Sequence, residues 1–229
     1  MYAIASHRPW NRAVCDRLGR RVGKGFKLID TPEKLDPDHL TAAEVETIFF
    51  PHWSYKIPYA VYNSFECIIF HMTDLPYGRG GSPLQNLIIS GHENTIISAV
   101  RCVEALDAGP VYLKRPLNLN GSAEEIFLRA DRIIESMIVT LIEEKPKAVA
   151  QIGTPTLFKR RRPDQGDWSE AEDLDRVFDY IRMLDATNYP PAFVDVGRFR
   201  LSFTRASRRS NAVLADVRIT LRDSGDSGI

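Results

Sequence analysis

The chain predicts an α/β protein built on a mostly parallel sheet, and three observations lead there. Short apolar runs bounded by turn signals alternate with helical segments over the first half. Two of these runs, Glu46–Phe50 and Glu66–Phe70, have no polar alternation, as expected of strands covered on both faces. The 229 residues, 44% apolar and 26% charged, suffice for a core that needs no covalent staples.

The elements follow in order. Tyr2–Ser6 is a short apolar strand. Asn11 is placed to cap a helix to about Val22, with Ala13, Val14 and Leu18 inward, and Gly23 ends it. Phe26–Ile29 reads as a strand, and Asp38 or Thr41 opens a short helix. The run 46–50 ends at Pro51 and the run 66–70 ends at His71. Pro83–Ser90 is a helix stopped by Gly91. Thr95–Glu104 and Gly109–Leu117 are rich in β-formers and predict a β-hairpin around an Asp-Ala-Gly turn. Ser122 and Glu125 form a capping box for an amphipathic helix from Ala123 to about Glu144. A helix over about Glu170–Leu184 and strands near 192–196, 199–204 and 213–221 complete a small C-terminal α/β appendage. The expected division is 1–150, a Rossmann-like catalytic domain, then 151–222, a linker and C-terminal subdomain, with 223–229 a disordered polar tail.

Composition excludes several classes. Thirty basic and thirty acidic residues cancel, which removes the global field that would gather nucleic acid. Lys159-Arg160-Arg161-Arg162 is the densest local cluster. Cys15, Cys67 and Cys102 are scattered, which argues against a disulfide framework and a metal cluster, so no metal is expected. The N-terminus does not read as a signal peptide, and no run nears the roughly 18 apolar residues of a membrane span. A cytoplasmic protein with no membrane partner is the expectation.

The chemistry concentrates between His71 and Asp107. In an open parallel sheet, ligands bind beyond the carboxyl ends of the strands. Two strands end there in reactive or aromatic residues, Phe50-Pro51-His52-Trp53 and His71-Met72-Thr73. An aspartate can fix an imidazole's tautomer and raise its basicity, as general acid–base chemistry near neutral pH requires. Gly78, Gly80 and Gly81 let backbone N–H groups approach a ligand, although the loop lacks the Gly-Lys-Ser/Thr ending of a phosphate loop.

The pattern His71-x-Thr73-x-Leu75-Pro76-x-x-Arg79-Gly80-x-x-Pro83-x-Gln85 resembles the formyltetrahydrofolate-dependent formyltransferase signature His-x-Ser-Leu-Leu-Pro-x-x-Arg-Gly-x-x-Pro-Ile. Glu104-Ala-Leu-Asp107-Ala-Gly109 resembles that family's Asp-x-Gly turn, and Trp168 with Tyr189-Pro-Pro-Ala-Phe193 resembles the linker beyond its catalytic domain. The resemblance implies the formyltransferase fold and 10-formyltetrahydrofolate as co-substrate. Its pterin would lie against Phe50, Pro51, His52, Trp53 and Leu75, and against Val103, Glu104 and Leu106. His71, held by Asp107 and accompanied by Thr73 in place of the usual serine, would take a proton from a primary amine as it attacks the formyl carbon.

Two departures stand out. Ile69 occupies the place of the family's asparagine, two residues before the histidine, which donates to the oxyanion. Losing one such donor costs roughly 3–4 kcal/mol. His52, a protonated His71 or an ordered water could substitute. Asp74 replaces a leucine, and either contacts the acceptor or pairs with Arg79. The acceptor side would be formed by Arg79, Gly80, Gly81 and Asp74, with His7 and Trp10 from the first strand's end.

The missing asparagine makes the motif most similar to sugar N-formyltransferases of pseudaminic-acid-type pathways. A nucleotide-linked dideoxy amino sugar, with UDP as its nucleotide, is the implied small-molecule partner, with Arg160–Arg162 available to its pyrophosphate. The chain is short for the basic C-terminal barrel of the transfer-RNA enzymes, so no nucleic-acid partner is expected, and a homodimer is compatible with the pattern. The alternatives are a formyl-folate hydrolase, formyl transfer to an aminoacyl group, and a non-catalytic folate-binding module.

Overall fold

A computed structural model describes residues 1–8 and 10–222. The tail expected at 223–229 lies outside the described residues. In chain order the elements are β1 (Tyr2–Ala5), α1 (Asn11–Val22), β2 (Phe26–Ile29), α2 (Pro37–Ala42), β3 (Thr47–Pro51), α3 (Tyr59–Ser64), β4 (Glu66–His71) and β5 (Arg79–Gly80). Then follow α4 (Pro83–Ile89), β6 (Asn94–Arg101), β7 (Val111–Asn118), α5 (Ala123–Glu144), β8 (Leu157–Phe158), α6 (Leu174–Leu184), β9 (Ala192–Val196), β10 (Phe199–Arg208) and β11 (Val213–Leu221).

The residues divide into two compact units, the first comprising 1–83, 95–117 and 129–158, the second 84–94, 118–128 and 159 onward. The first unit holds a six-stranded sheet in the order β2-β1-β3-β4-β6-β7. Its β2, β1, β3 and β4 are parallel, and β6 runs antiparallel to β4. The α/β class with a mostly parallel sheet is therefore as the apolar runs predict. Strand alternation splits β4 between two faces: Cys67, Ile69 and His71 point one way, Ile68 and Phe70 the other. On the first of these faces Ala3, Ala5, Ile48, Phe50 and Cys67 form one apolar cluster with Leu35, Leu40 and Val61, and Ile69 and Trp53 pack on it. Burying such side chains is what holds the strands' carboxyl ends in place, at about 25 cal/mol per Å² of apolar surface.

Several local expectations change. Asn11 is not a cap: it is fully buried inside α1 and its amide donates to Ser6 Oγ at 2.7 Å. The cap of α2 is Asp36, which accepts from the His39 N–H at 2.9 Å, rather than Asp38 or Thr41. The helix α6 begins at Leu174 behind Asp173, four residues later than composition suggests, because Asp173 accepts the Arg176 N–H. By contrast α5 has the expected bounds, with Glu125 N–H on Ser122 Oγ at 3.3 Å and Ser122 N–H on Glu125 at 2.8 Å.

The second unit contains the antiparallel sheet β11-β10-β9 with α6 packed on β10. Gln85 of α4, 3% exposed, donates to the Met183 carbonyl of α6 at 3.2 Å. Arg182 of α6 donates to the Leu119 carbonyl at 2.6 Å and pairs with Asp179. The Trp168 ring lies 5.1 Å from that of Phe203.

Candidate active site

Parallel strands present their carboxyl ends on one edge, and β4 delivers His71 there, 6% exposed. Its Nε2 lies 2.8 Å from the Gly78 carbonyl oxygen. A carbonyl only accepts, so this contact puts a proton on Nε2. Its Nδ1 stands 3.5 Å from Asp107 Oδ2. Thr73 is fully buried and its hydroxyl also donates to the Gly78 carbonyl, at 3.4 Å.

Asp107 sits in the connection between β6 and β7, which neighbour each other in the sheet as the hairpin expectation requires. Its backbone is left-handed, with φ of 52°. The same Oδ2 that faces His71 accepts the Gly80 N–H at 3.0 Å. Gln151 donates to the carbonyls of both Asp107 and Gly109, each at 2.8 Å.

The Gly-rich loop is roofed by the two-residue strand β8, which pairs in parallel with β5. Gly78 N–H donates to Thr156 Oγ1 at 2.7 Å, Arg79 N–H to the Thr156 carbonyl at 3.0 Å, and Gly81 N–H to the Phe158 carbonyl at 3.0 Å. The N–H groups of Gly78, Gly80 and Gly81, expected to approach a ligand, are here accepted by Thr156, Asp107 and the Phe158 carbonyl of β8 respectively. Glycine is required here for a different reason. A Cβ at Gly80, whose φ is 107°, would lie 2.4 Å from the Phe158 carbonyl oxygen.

The two departures resolve differently. Asp74 pairs with Lys114, whose Nζ also donates to the Leu75 carbonyl at 2.7 Å. Arg79 instead directs Nε and Nη2 to Gln151 Oε1, at 3.1 and 2.7 Å, so an Asp74–Arg79 pair is not formed. Ile69 lies on the face of His71 and beside Phe50 in the register of β3 and β4. His52, proposed to replace the absent asparagine, is turned elsewhere: its Nε2 is 3.3 Å from Asp131 Oδ1. Trp10 donates its indole N–H to the other oxygen of the same carboxylate. These contacts engage Trp10 and His52 with α5 rather than with His71.

The other expected contacts fall into two groups. Phe50, Pro51 and Leu75 are buried, and Phe50 belongs to the apolar cluster, so its ring is core rather than ligand surface. Trp53 and Val103 are half-buried, while Glu104 and Leu106 are exposed on the turn, Leu106 by 67%. His7 is exposed, with its ring 6.3 Å from Tyr55. Loss of hydration on part of the ring, then the neighbouring Arg8 and His52, hold its imidazole below the usual histidine value. Among the described residues no three His, Cys, Asp or Glu side chains gather as a metal site, and no helix is long and apolar enough to cross a membrane.

Sequence reasoning missed Gln151, Thr156, Phe158, Lys114, Asp131 and Ser98. Ser98 is fully buried, stands opposite His71 in the β4–β6 register and donates to the Thr73 carbonyl at 2.8 Å. A lone hydroxyl within the apolar run Ile96–Val100 was the signal for it.

Comparison with known proteins places the chain. Residues 163–220 match the family model described as methionyl-tRNA formyltransferase, C-terminal domain, so Trp168 and Tyr189–Phe193 lie within that segment rather than in a linker. The chain is similar to the methionyl-tRNA formyltransferase of Gluconobacter oxydans, 32% identical over 133 residues, which cover 56% of this chain and 42% of that one. The matched part is 42%, 32% and 29% of three such curated relatives, so the chain spans less than half of their length. A sugar N-formyltransferase structure from Shewanella shares the fold at 13% identity, covering 96% of this chain and 97% of that one, with a TM-score of 0.64. The structure of a methionyl-tRNA formyltransferase from Clostridium thermocellum is 42% identical, covers 96% of this chain and 99% of that one, and superposes with a TM-score of 0.93. On that identity across nearly the whole of both chains, this protein belongs to the formyltransferase family of methionyl-tRNA formyltransferase type.

Proposed function

We propose that the chain transfers a formyl group from 10-formyltetrahydrofolate to a primary amine. The observation that carries this reading is His71 at the carboxyl end of β4 with Nδ1 3.5 Å from Asp107. The turn at 103–107, with exposed Leu106 and half-buried Val103, and the half-buried Trp53 fit a planar pterin. The folate supplies an activated formyl group. His71 takes the proton that the amine loses, and Asp107 stabilises the imidazolium that results. Thr73 holds the Gly78 carbonyl beside the ring.

For the acceptor, we favour a nucleotide-linked dideoxy amino sugar. Formal net charge is zero. Many arginines of the C-terminal segment already pair with carboxylates: Arg162 with Asp164, Arg205 with Asp216, Arg208 with Asp175, and Arg200 and Arg222 share Asp195. Binding a polyanion draws on basic side chains that can release its counterions, and these pairs compete with that. Methionyl-tRNA is the second reading, favoured by the match of residues 163–220 and by the name of the Clostridium thermocellum relative.

The deciding experiment incubates the protein with 10-formyltetrahydrofolate and, separately, UDP- and dTDP-linked amino sugars and methionyl-tRNA, with mass spectrometry of the products. A gain of one formyl group on a sugar supports the first acceptor, and a gain on the tRNA's methionine replaces it with the second. Release of formate without any acceptor would make the protein a hydrolase. His71→Asn should abolish transfer while folate binding persists. Transfer that survives the change would remove His71 from the mechanism.

A further inference from the structure

We infer that Gln151 is a positioning residue for this chemistry, the clamp that sets where Asp107 stands. The inference rests on the formyl-transfer reading for its consequence, but its geometry stands apart from it. A primary amide offers two N–H donors and two acceptor lone pairs. Gln151 has all four engaged, with one N–H on the Asp107 carbonyl and one on the Gly109 carbonyl, both at 2.8 Å, and Oε1 receiving Arg79 Nε at 3.1 Å and Nη2 at 2.7 Å. Reversing the amide would set its N–H groups against a guanidinium and its oxygen against two carbonyls, so the orientation is unambiguous.

The clamp acts where the backbone most needs one. Asp107 holds a left-handed φ of 52°, a conformation aspartate tolerates better than most residues and that contacts around the turn must select. Two residues on, Gly109 runs so close to β6 that a Cβ would fall 1.9 Å from the Arg101 carbonyl oxygen. Gln151 grips the turn at Asp107 and at the crossing itself, Gly109, and ties it to Arg79. Arg79 neighbours Gly78, whose carbonyl meets His71, and Gly80, whose N–H meets Asp107. One amide thus couples both partners of the imidazole. Losing it frees the turn, and a carboxylate displaced by even 1 Å can cost up to about a hundredfold in rate.

The test compares wild type with Gln151→Leu, which removes every contact, and Gln151→Glu, which keeps an acceptor for Arg79 but sets oxygen against both carbonyls. In steady-state formyl transfer, both variants should lose about tenfold or more in kcat while KM for folate and acceptor stays within about twofold. In two-dimensional ¹H–¹⁵N spectra, the His71 ring nitrogens should shift in both variants, with circular dichroism unchanged. A kcat equal to wild type with unmoved His71 signals would overturn the inference. So would loss of the folded spectrum in both variants, which would make Gln151 a purely structural residue. If the wild type transfers no formyl group, the functional reading falls, and the His71 signals alone then decide the positioning role.

Discussion

The Nε2 of His71 is hydrogen-bonded to the carbonyl of Gly78 at 2.8 Å, while its Nδ1 faces Asp107. A base working through Nε2 must first leave that carbonyl and carry its ring proton on Nδ1, toward Asp107, since a nitrogen carrying a proton accepts none. Adding a slowly reacting folate analogue together with the amine acceptor should therefore change the ¹⁵N pattern of His71 from a protonated to an unprotonated Nε2. An unchanged pattern in the ternary complex would place the proton acceptor elsewhere.

Ile69 is the second test. Its side chain packs on the apolar cluster that contains Phe50 and Cys67. Ile69→Asn should lower stability by about 1–3 kcal/mol, because the amide meets no polar partner in that cluster. Turnover should nonetheless rise if the oxyanion forms on the face shared with His71. Urea unfolding and kcat, measured on the same preparation, separate the two effects. A stable variant with unchanged or lower kcat would move the oxyanion away from position 69.

Gly80 should be intolerant. With φ of 107° and a would-be Cβ 2.4 Å from the Phe158 carbonyl oxygen, Gly80→Ala must distort the β5–β8 pair. Backbone strain of this kind costs about 1–3 kcal/mol, and the Gly80 N–H that holds Asp107 would move with it. Gly25→Ala is the control, since its Cβ would meet only Met1 at ordinary contact distance. Equal unfolding midpoints for the two variants would contradict the close approach.

Stability should fall on the alkaline side. Burial raises the Cys15 and Cys102 thiols from 9.0 to about 11, with the charges of Asp16 and Asp107 adding to it. In the unfolded chain both lose their protons near 9, before the folded chain does. Their stabilising effect is thus complete below pH 9 and disappears as pH rises toward 11. Two full units would correspond to ~2.7 kcal/mol for each thiol, and the hydration both retain reduces this to about 1–2 kcal/mol. Urea midpoints between pH 9 and 11 should decline more steeply in wild type than in a Cys15→Ala, Cys102→Ala variant. Parallel slopes would refute the assignment.

Much of the sheet and α5 was legible because their signals are local and repeated: uninterrupted apolar runs for β3 and β4, a helical period with a capping box for α5. The six-residue α3 escaped notice because it has a single buried side chain, Val61, and so no periodicity to read. The pair of two-residue strands β5 and β8 joins positions nearly eighty apart and leaves no pattern in either segment. The same holds at the site. His71 and Asp107 could be named from a motif and its turn, whereas Gln151 and Thr156 lie in a polar stretch whose meaning comes only from what folds beneath it. His52 shows the converse, a residue whose position at a strand end suggested chemistry but whose side chain faces Asp131.

The roof over the Gly-rich loop has a consequence for the order of synthesis. The chain from Gln151 to Phe158 emerges from the ribosome long after His71 and Asp107, yet it supplies the contacts that fix both ends of the imidazole's surroundings. A nascent chain that has made every strand of the large sheet still lacks these contacts. The sheet can therefore mature before the chemistry does, and a ribosome-bound intermediate stalled at residue 150 would expose an unclasped loop to proteases and chaperones.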